Sequence, residues 1–144
     1  MVTLLNLLRE HVAQARTQHD VLTGLPLRHG LDYSFALRCK DARRAQAELW
    51  LAMIDIDHFK SVNDLHGHAV GDVALKQVAR RLAACMREAD ALCRFGGEEF
   101  LALFLVREPP GVAPLAARLL DAVSAAPIHA PSGVALNLTV TIGL

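Results

Sequence analysis

Arg94-Phe95-Gly96-Gly97-Glu98-Glu99-Phe100 stands between two apolar segments, Ala91-Leu92-Cys93 before it and Phe100 to Val106 after it. Adjacent glycines let a backbone turn tightly and approach a ligand closely. Adjacent carboxylates follow at the mouth of that turn. This pattern predicts a β-hairpin with a glycine-built, acidic tip. Acids at a loop tip beside a second acidic strand end make a donor set suited to hard cations. Taken alone, the segment also reads as an ordinary solvated hairpin turn.

The second acidic strand end lies upstream. Leu49-Trp50-Leu51-Ala52-Met53-Ile54-Asp55-Ile56-Asp57 is an apolar run closing in acid. It predicts a central buried strand with Asp55 and Asp57 at its carboxyl end. Between the run and the hairpin, residues 58–71 read as short-range structure and residues 72–86 as an amphipathic helix with Val73, Leu75, Val78, Leu82 and Cys85 inward. After the hairpin, Pro109-Pro110-Gly111 marks a loop, residues 112–125 a second amphipathic helix, and residues 136–142 a strand. Before it, Gly24 and Pro26 break the chain, and residues 28–46 read as a helix with Leu31, Phe35, Leu37 and Ala42 as core candidates. Leu5, Leu8, Val12, Ala15, His19 and Leu22 recur at heptad spacing, so residues 1–19 are expected to form a coiled-coil or linker helix, or else an amphipathic helix packed on its own domain. The order of elements predicts an α+β fold, a ferredoxin-like βαββαβ core with helices on one face.

Composition narrows the function. The chain has 144 residues and 53% hydrophobic content, enough for one packed domain. Fifteen basic and fifteen acidic residues balance, which gives no electrostatic footprint for nucleic acid or an anionic membrane. No apolar stretch reaches the roughly 18–20 residues that span a bilayer, and Met1 to Leu8 does not read as a signal peptide. Cys39, Cys85 and Cys93 have no zinc spacing and suggest a reduced, cytoplasmic setting.

In a ferredoxin-like sheet the end of the first strand and the hairpin tip lie side by side. Asp55 and Glu98 can then converge on Mg2+, with the Ile56 carbonyl as a third ligand. Such a metal neutralises phosphate charge and activates a hydroxyl. His58-Phe59-Lys60 offers backbone N–H groups and an ammonium as a phosphate cradle. Asn63 and Asp72 supply the acceptor and donor groups that suit a guanine edge. His66 and His68 lack a third zinc ligand and read first as turn and helix-start residues. Trp50 reads as core, and Asp57 and Asp64 as caps of turns and helix starts.

Five segments together resemble the GGDEF-domain diguanylate cyclases: Asp20-Val21-Leu22-Thr23-Gly24-Leu25, Asp55 to Asp64, Gly67-His68-Ala69-Val70-Gly71-Asp72, Arg94 to Phe100, and Thr139-Val140-Thr141-Ile142-Gly143. The resemblance implies a palm-like nucleotidyl-cyclase fold and condensation of two GTP into cyclic di-GMP with release of two pyrophosphates. It implies a homodimer whose subunits each hold one GTP, an upstream sensor domain, and Mg2+ or Mn2+ as cofactor. Carried over by position, Asp55, Glu98 and Glu99 would be catalytic and would hold metal with the Ile56 carbonyl. His58, Phe59, Lys60, Asn63, His68, Asp72, Gly96 and Gly97 would bind substrate. Glu98 stands where the family name has aspartate, and the carboxylate is kept.

Arg87-Glu88-Ala89-Asp90 resembles the family's inhibitory product site, an R-x-x-D turn. Its plainer reading is a helix end whose arginine favours the dipole, followed by a turn aspartate. Two departures stand out. Leu27-Arg28 replaces the usual Asn-Arg. The family also continues past the strand at Ile142 with a basic helix and a last strand, so residues 20–144 are expected to be a GGDEF domain without those two elements. Two competing readings remain: a cyclic di-GMP or GTP-binding receptor module, and another cyclase or polymerase-palm enzyme sharing two-metal carboxylate chemistry.

Overall fold

The computed structural model describes residue 6, residues 18–107 and residues 111–144. The expected N-terminal coiled coil therefore lies almost wholly outside the described residues.

Helix α1 spans Arg28–Ala45, strand β1 Glu48–Ile56, helix α2 Phe59–His66 and helix α3 His68–Ala84. Strands β2 (Ala91–Arg94) and β3 (Glu99–Val106) form the expected hairpin, and helix α4 spans Val112–Ser124. Strands β4 (Ile128–His129), β5 (Ala135–Leu136) and β6 (Val140–Gly143) complete the order. The main sheet runs β2-β3-β1-β6, and every neighbouring pair is antiparallel. This is the ferredoxin-like arrangement that the order of elements predicted.

The core lies between this sheet and helices α3 and α4. Alternation in β1 sends Ala52, Ile54 and Ile56, each fully buried, to that side. They meet Ala74, Leu75, Val78 and Leu82 of α3, and Leu115, Leu119 and Val123 of α4. Burying a side chain of this size contributes on the order of 1.5–3 kcal/mol. Two arginines tie the helix ends together. Arg81 of α3 donates to the carbonyl oxygens of Val123 at 2.6 Å, Ala126 at 2.6 Å and Pro127 at 3.1 Å. Val123 O is an orphan acceptor in the last turn of α4, and the other two carbonyls follow just past its end. In return, Arg118 of α4 donates to Cys85 O at 2.7 Å.

Helix α1 packs on the other side of the sheet, over β1, β2 and β3. Its less exposed positions, Leu31, Ser34, Arg38 and Ala42, fall at helical spacing. Phe35 and Leu37, expected in the core, flank that stripe and remain 41% and 43% exposed. The outer face of β1 is likewise only partly covered, with Leu51 and Met53 exposed. The strand is central in the sheet but not buried on both faces.

Two further differences have local causes. Residues 58–71 are helical for most of their length rather than irregular. Gly67, at φ 84, takes its N–H back to Asn63 O at 2.8 Å, ending α2 and opening α3 within one residue. The small hairpin of β4 and β5 closes through Gly133 at φ 87. Its two-residue strands are too short to leave an alternating pattern.

Candidate active site

Three carboxylates meet where two central strands end. Asp55 and Glu99 are register partners across β1 and β3, and the Ile56 N–H donates to Glu98 O at 3.3 Å. Burial pushes the Glu98 carboxyl up from its ordinary value, and the negative charges of Asp55 and Glu99 push it further. Among the described residues, none of the three forms an ion pair with a basic side chain. Crowded, uncompensated carboxylates are what a divalent cation relieves, so the donor set fits a hard metal. Among the described residues, no group of three or more His, Cys, Asp or Glu side chains is placed to hold a metal ion by itself. Mg2+ does not require one, because it takes one or two carboxylates and fills its octahedron with carbonyl, water and phosphate oxygens.

The hairpin tip is built for space rather than for unusual dihedrals. Neither Gly96 nor Gly97 has positive φ. The N–H groups of Phe95 and Gly96 both donate to Glu99 O, at 2.8 and 3.1 Å. A methyl group on Gly96 would overlap Glu99 Oε2 and stand 3.3 Å from its Cδ. One on Gly97 would meet nothing within 4 Å, so the tip is open on that side.

Arg94, to which the sequence pattern gives no role, holds the tip in place. Its Nη2 donates to Gly97 O at 2.7 Å, its Nε to Gly96 O at 3.3 Å and its Nη1 to Asp20 Oδ2 at 2.9 Å. Asp20 also accepts from Thr23 N at 2.8 Å and Thr23 Oγ1 at 2.6 Å. The backbone of this turn joins the hairpin edge directly, with Arg94 N–H donating to Pro26 O at 2.9 Å. At the start of α1, the Arg28 guanidinium stacks 4.7 Å from the centre of the Phe95 ring.

The segment after β1 is fixed from the sheet edge. Thr139 Oγ1 donates to Asp57 Oδ2 and Thr141 Oγ1 to Asp57 Oδ1, each at 2.6 Å, and Asp57 N–H donates to Thr139 O at 3.0 Å. The two hydroxyls hold the Asp57 carboxyl below its ordinary value. His58 follows in the left-handed region at φ 55, a conformation uncommon for a residue with a side chain, and leads into α2. Phe59 is buried in the core, so only its backbone is offered to a ligand, whereas Lys60 is exposed. Asn63 is half-buried against α3, and Asp72 and His68 are exposed on α3.

Arg87 and Asp90 stand elsewhere, at the opposite end of the sheet, and are closed on each other. The Asp90 side chain is fully buried, accepting from Arg87 N at 2.8 Å and Arg87 Nε at 3.2 Å. Arg87 is half exposed and also donates to Leu105 O at 3.2 Å.

Residues 17–144 match the family described as diguanylate cyclase, GGDEF domain. The chain belongs to the GGDEF family. Over 125 residues this GGDEF chain is 40% identical to diguanylate cyclase DgcP of Pseudomonas aeruginosa, covering 87% of the chain and 18% of DgcP. It is 38% identical over 129 residues to diguanylate cyclase DgcZ of Escherichia coli, covering 90% of the chain and 43% of DgcZ. The GGDEF chain thus spans less than half the length of these curated relatives. Among solved structures it is similar to the coiled coil and GGDEF domain of DgcB from Caulobacter crescentus in complex with c-di-GMP. That match has a TM-score of 0.83 and 29% identity, and covers 99% of this chain and 76% of that one. The GGDEF domain of TpbB (YfiN) from Pseudomonas aeruginosa matches with a TM-score of 0.81 and 33% identity, covering 87% of this chain and 73% of that one. No described helix is long and apolar enough to cross a membrane.

Proposed function

We propose that this chain is a diguanylate cyclase domain, condensing two GTP into cyclic di-GMP and two pyrophosphates between two copies of itself. The observation that carries the reading is the meeting of Asp55, Glu98 and Glu99 at the ends of β1 and β3, with the Glu98 carboxyl raised by its neighbours. Asp55, Glu98 and the Ile56 carbonyl would hold Mg2+ or Mn2+, with Glu99 assisting. When bound, the metal supplies charge neutralisation at the phosphates and activation of the attacking hydroxyl.

The remaining work falls to the chain. Backbone N–H groups of His58 to Lys60, at the start of α2, and the Lys60 ammonium bind the triphosphate. Asn63 and Asp72 read the guanine edge, with His68 beside them on α3. Gly96 and Gly97, the second open to space where a side chain would stand, let ribose and α-phosphate lie against the hairpin. In each half-reaction the 3′-hydroxyl of one GTP gives up its proton to solvent as its oxygen bonds to the α-phosphorus of the other. The bond from that phosphorus to the bridging oxygen breaks, and pyrophosphate leaves with its electron pair. Each copy holds one GTP, so the two must meet face to face, under control of an upstream sensor. A GTP substrate, and cysteines that form no disulfide among the described residues, support a cytoplasmic setting. Residues 20–144 act as the GGDEF unit. Arg87 and Asp90 form the inhibitory product site, in which the half-exposed Arg87 guanidinium meets guanine or phosphate and the buried Asp90 carboxylate holds that arginine in place.

The test is chromatography with mass detection on the chain incubated with GTP and Mg2+. Cyclic di-GMP made by this chain and lost in Glu98→Ala supports the reading. Its absence, or equal synthesis by Glu98→Ala, overturns it. Arg87→Ala separately tests inhibition, and unchanged inhibition by added cyclic di-GMP would remove that role.

A further inference from the structure

Gly71 lies in the first turns of α3, directly before Asp72, and is buried. A glycine inside a helix is less favourable than alanine. Gly71 does not have positive φ, so the backbone does not demand glycine there. Space does. A methyl group on its Cα would overlap Asn63 Oδ1, stand 3.0 Å from Asn63 Cγ and lie 3.4 Å from Phe59 Cζ.

The identity of the obstructed atom matters. Phe59 is at ordinary van der Waals distance, and outside α3 itself no atom but those of Asn63 comes nearer. The overlap falls on the carboxamide of Asn63, the rotatable end of a short side chain. A methyl at residue 71 therefore displaces that carboxamide and leaves the packing of α2 on α3 in place. Gly67 sets this geometry, because it ends one helix on Asn63 O and starts the next in a single step.

We infer that Gly71 is a specificity-positioning residue: the notch it leaves in α3 seats the Asn63 carboxamide beside Asp72 in the orientation that reads guanine. The inference rests on the guanine-reading role proposed above for Asn63, and a double-mutant cycle separates the two. Gly71→Ala, Asn63→Ala and the double variant are compared by thermal unfolding and by equilibrium binding of GTP and ATP. Turnover is measured in parallel.

Gly71→Ala is expected to unfold at the same temperature as the parent or higher, because alanine favours the helix. It is expected to bind GTP roughly tenfold more weakly, the worth of one displaced hydrogen-bonding group, with ATP binding unchanged. KM for GTP rises more than kcat falls. In the Asn63→Ala background, adding Gly71→Ala changes GTP binding less than about twofold, since the group it displaces is gone. Should Gly71→Ala itself unfold early, recovery in the double variant supports the overlap, and no recovery overturns it. Parent-like GTP preference in Gly71→Ala, with the preference lost in Asn63→Ala, overturns the role of Gly71 alone. An equal loss from Gly71→Ala in both backgrounds also overturns it. Retained GTP preference in Asn63→Ala overturns the guanine-reading role and the inference with it.

Discussion

Arg94 Nη1 lies 2.9 Å from Asp20 Oδ2, so a residue at the end of β2 holds the turn that precedes α1. Both side chains are 15% exposed. At that burial a charge-assisted pair contributes more than the fraction of a kcal/mol typical of surface pairs. The same guanidinium binds the carbonyls of Gly96 and Gly97. The upstream turn and the glycine tip are thus held by one group.

Arg94→Lys separates these duties. Lysine keeps a charge near Asp20 but cannot fork onto the two glycine carbonyls. Cyclase turnover should fall on the order of tenfold, the equivalent of about 1.4 kcal/mol of lost positioning. The melting temperature should move by only a few degrees. Unchanged turnover would show that the tip holds its shape without the fork.

Asp20 predicts a pH dependence of stability. Burial raises its carboxyl, but the hydrogen bonds from Thr23 and Arg94 outweigh burial, and the net direction is below the ordinary 3.8. A folded value below the unfolded one means stability that is complete above the unfolded value and lost as pH falls through the folded one. The gap between wild type and Asp20→Asn, measured by urea unfolding, should be about 1–3 kcal/mol at pH 7. It should shrink below pH 3.8. An equal gap at pH 7 and pH 3 would rule out the ionised pair as its source.

Glu98→Gln should have opposite effects on stability and activity. The Glu98 carboxyl is raised above its ordinary 4.5 by burial, Asp55 and Glu99. A raised acid binds its proton more tightly when folded, so its ionisation destabilises the fold as pH climbs from 4.5 through the higher folded value. Removing the charge should raise the melting temperature in chelator at pH 7. It should also abolish the stabilisation produced by added Mg2+ and cut turnover by at least about 100-fold. A lower melting temperature in chelator would contradict the crowding.

Arg81→Leu addresses stability far from the carboxylates. It frees three carbonyls near the end of α4 from their donor. The loss should be about 2–3 kcal/mol, or roughly 4–12 °C in melting temperature for a domain of this size. Turnover measured well below the transition should stay near the parent value. A melting temperature within a degree of wild type would mean that water replaces the guanidinium.

Much of the architecture was legible because local patterns carry it. The apolar run closing at Asp55-Ile56-Asp57 predicted β1, and the glycine pair between apolar segments predicted the β2–β3 hairpin. What the pattern missed was either very short or far apart in the chain. The β4–β5 hairpin has strands of two residues, below the length at which alternation can be recognised. The α2–α3 junction depends on one glycine conformation. Asp20 and Arg94 are 74 residues apart, and no local period connects them. Phe35 and Leu37 misled because a helix packed on one side of a sheet buries a narrow stripe, and neighbouring apolar positions fall outside it.

Asp55 and Glu99 stand on β1 and β3, the two inner strands of the order β2-β3-β1-β6. Each of these strands is hydrogen-bonded on both sides, and both lie over the main core. Fraying of an edge strand leaves them paired, and separating them requires disruption of the whole sheet. Heat inactivation should therefore follow the same curve as loss of the fold, leaving little temperature range in which the domain is still folded but its carboxylates have come apart.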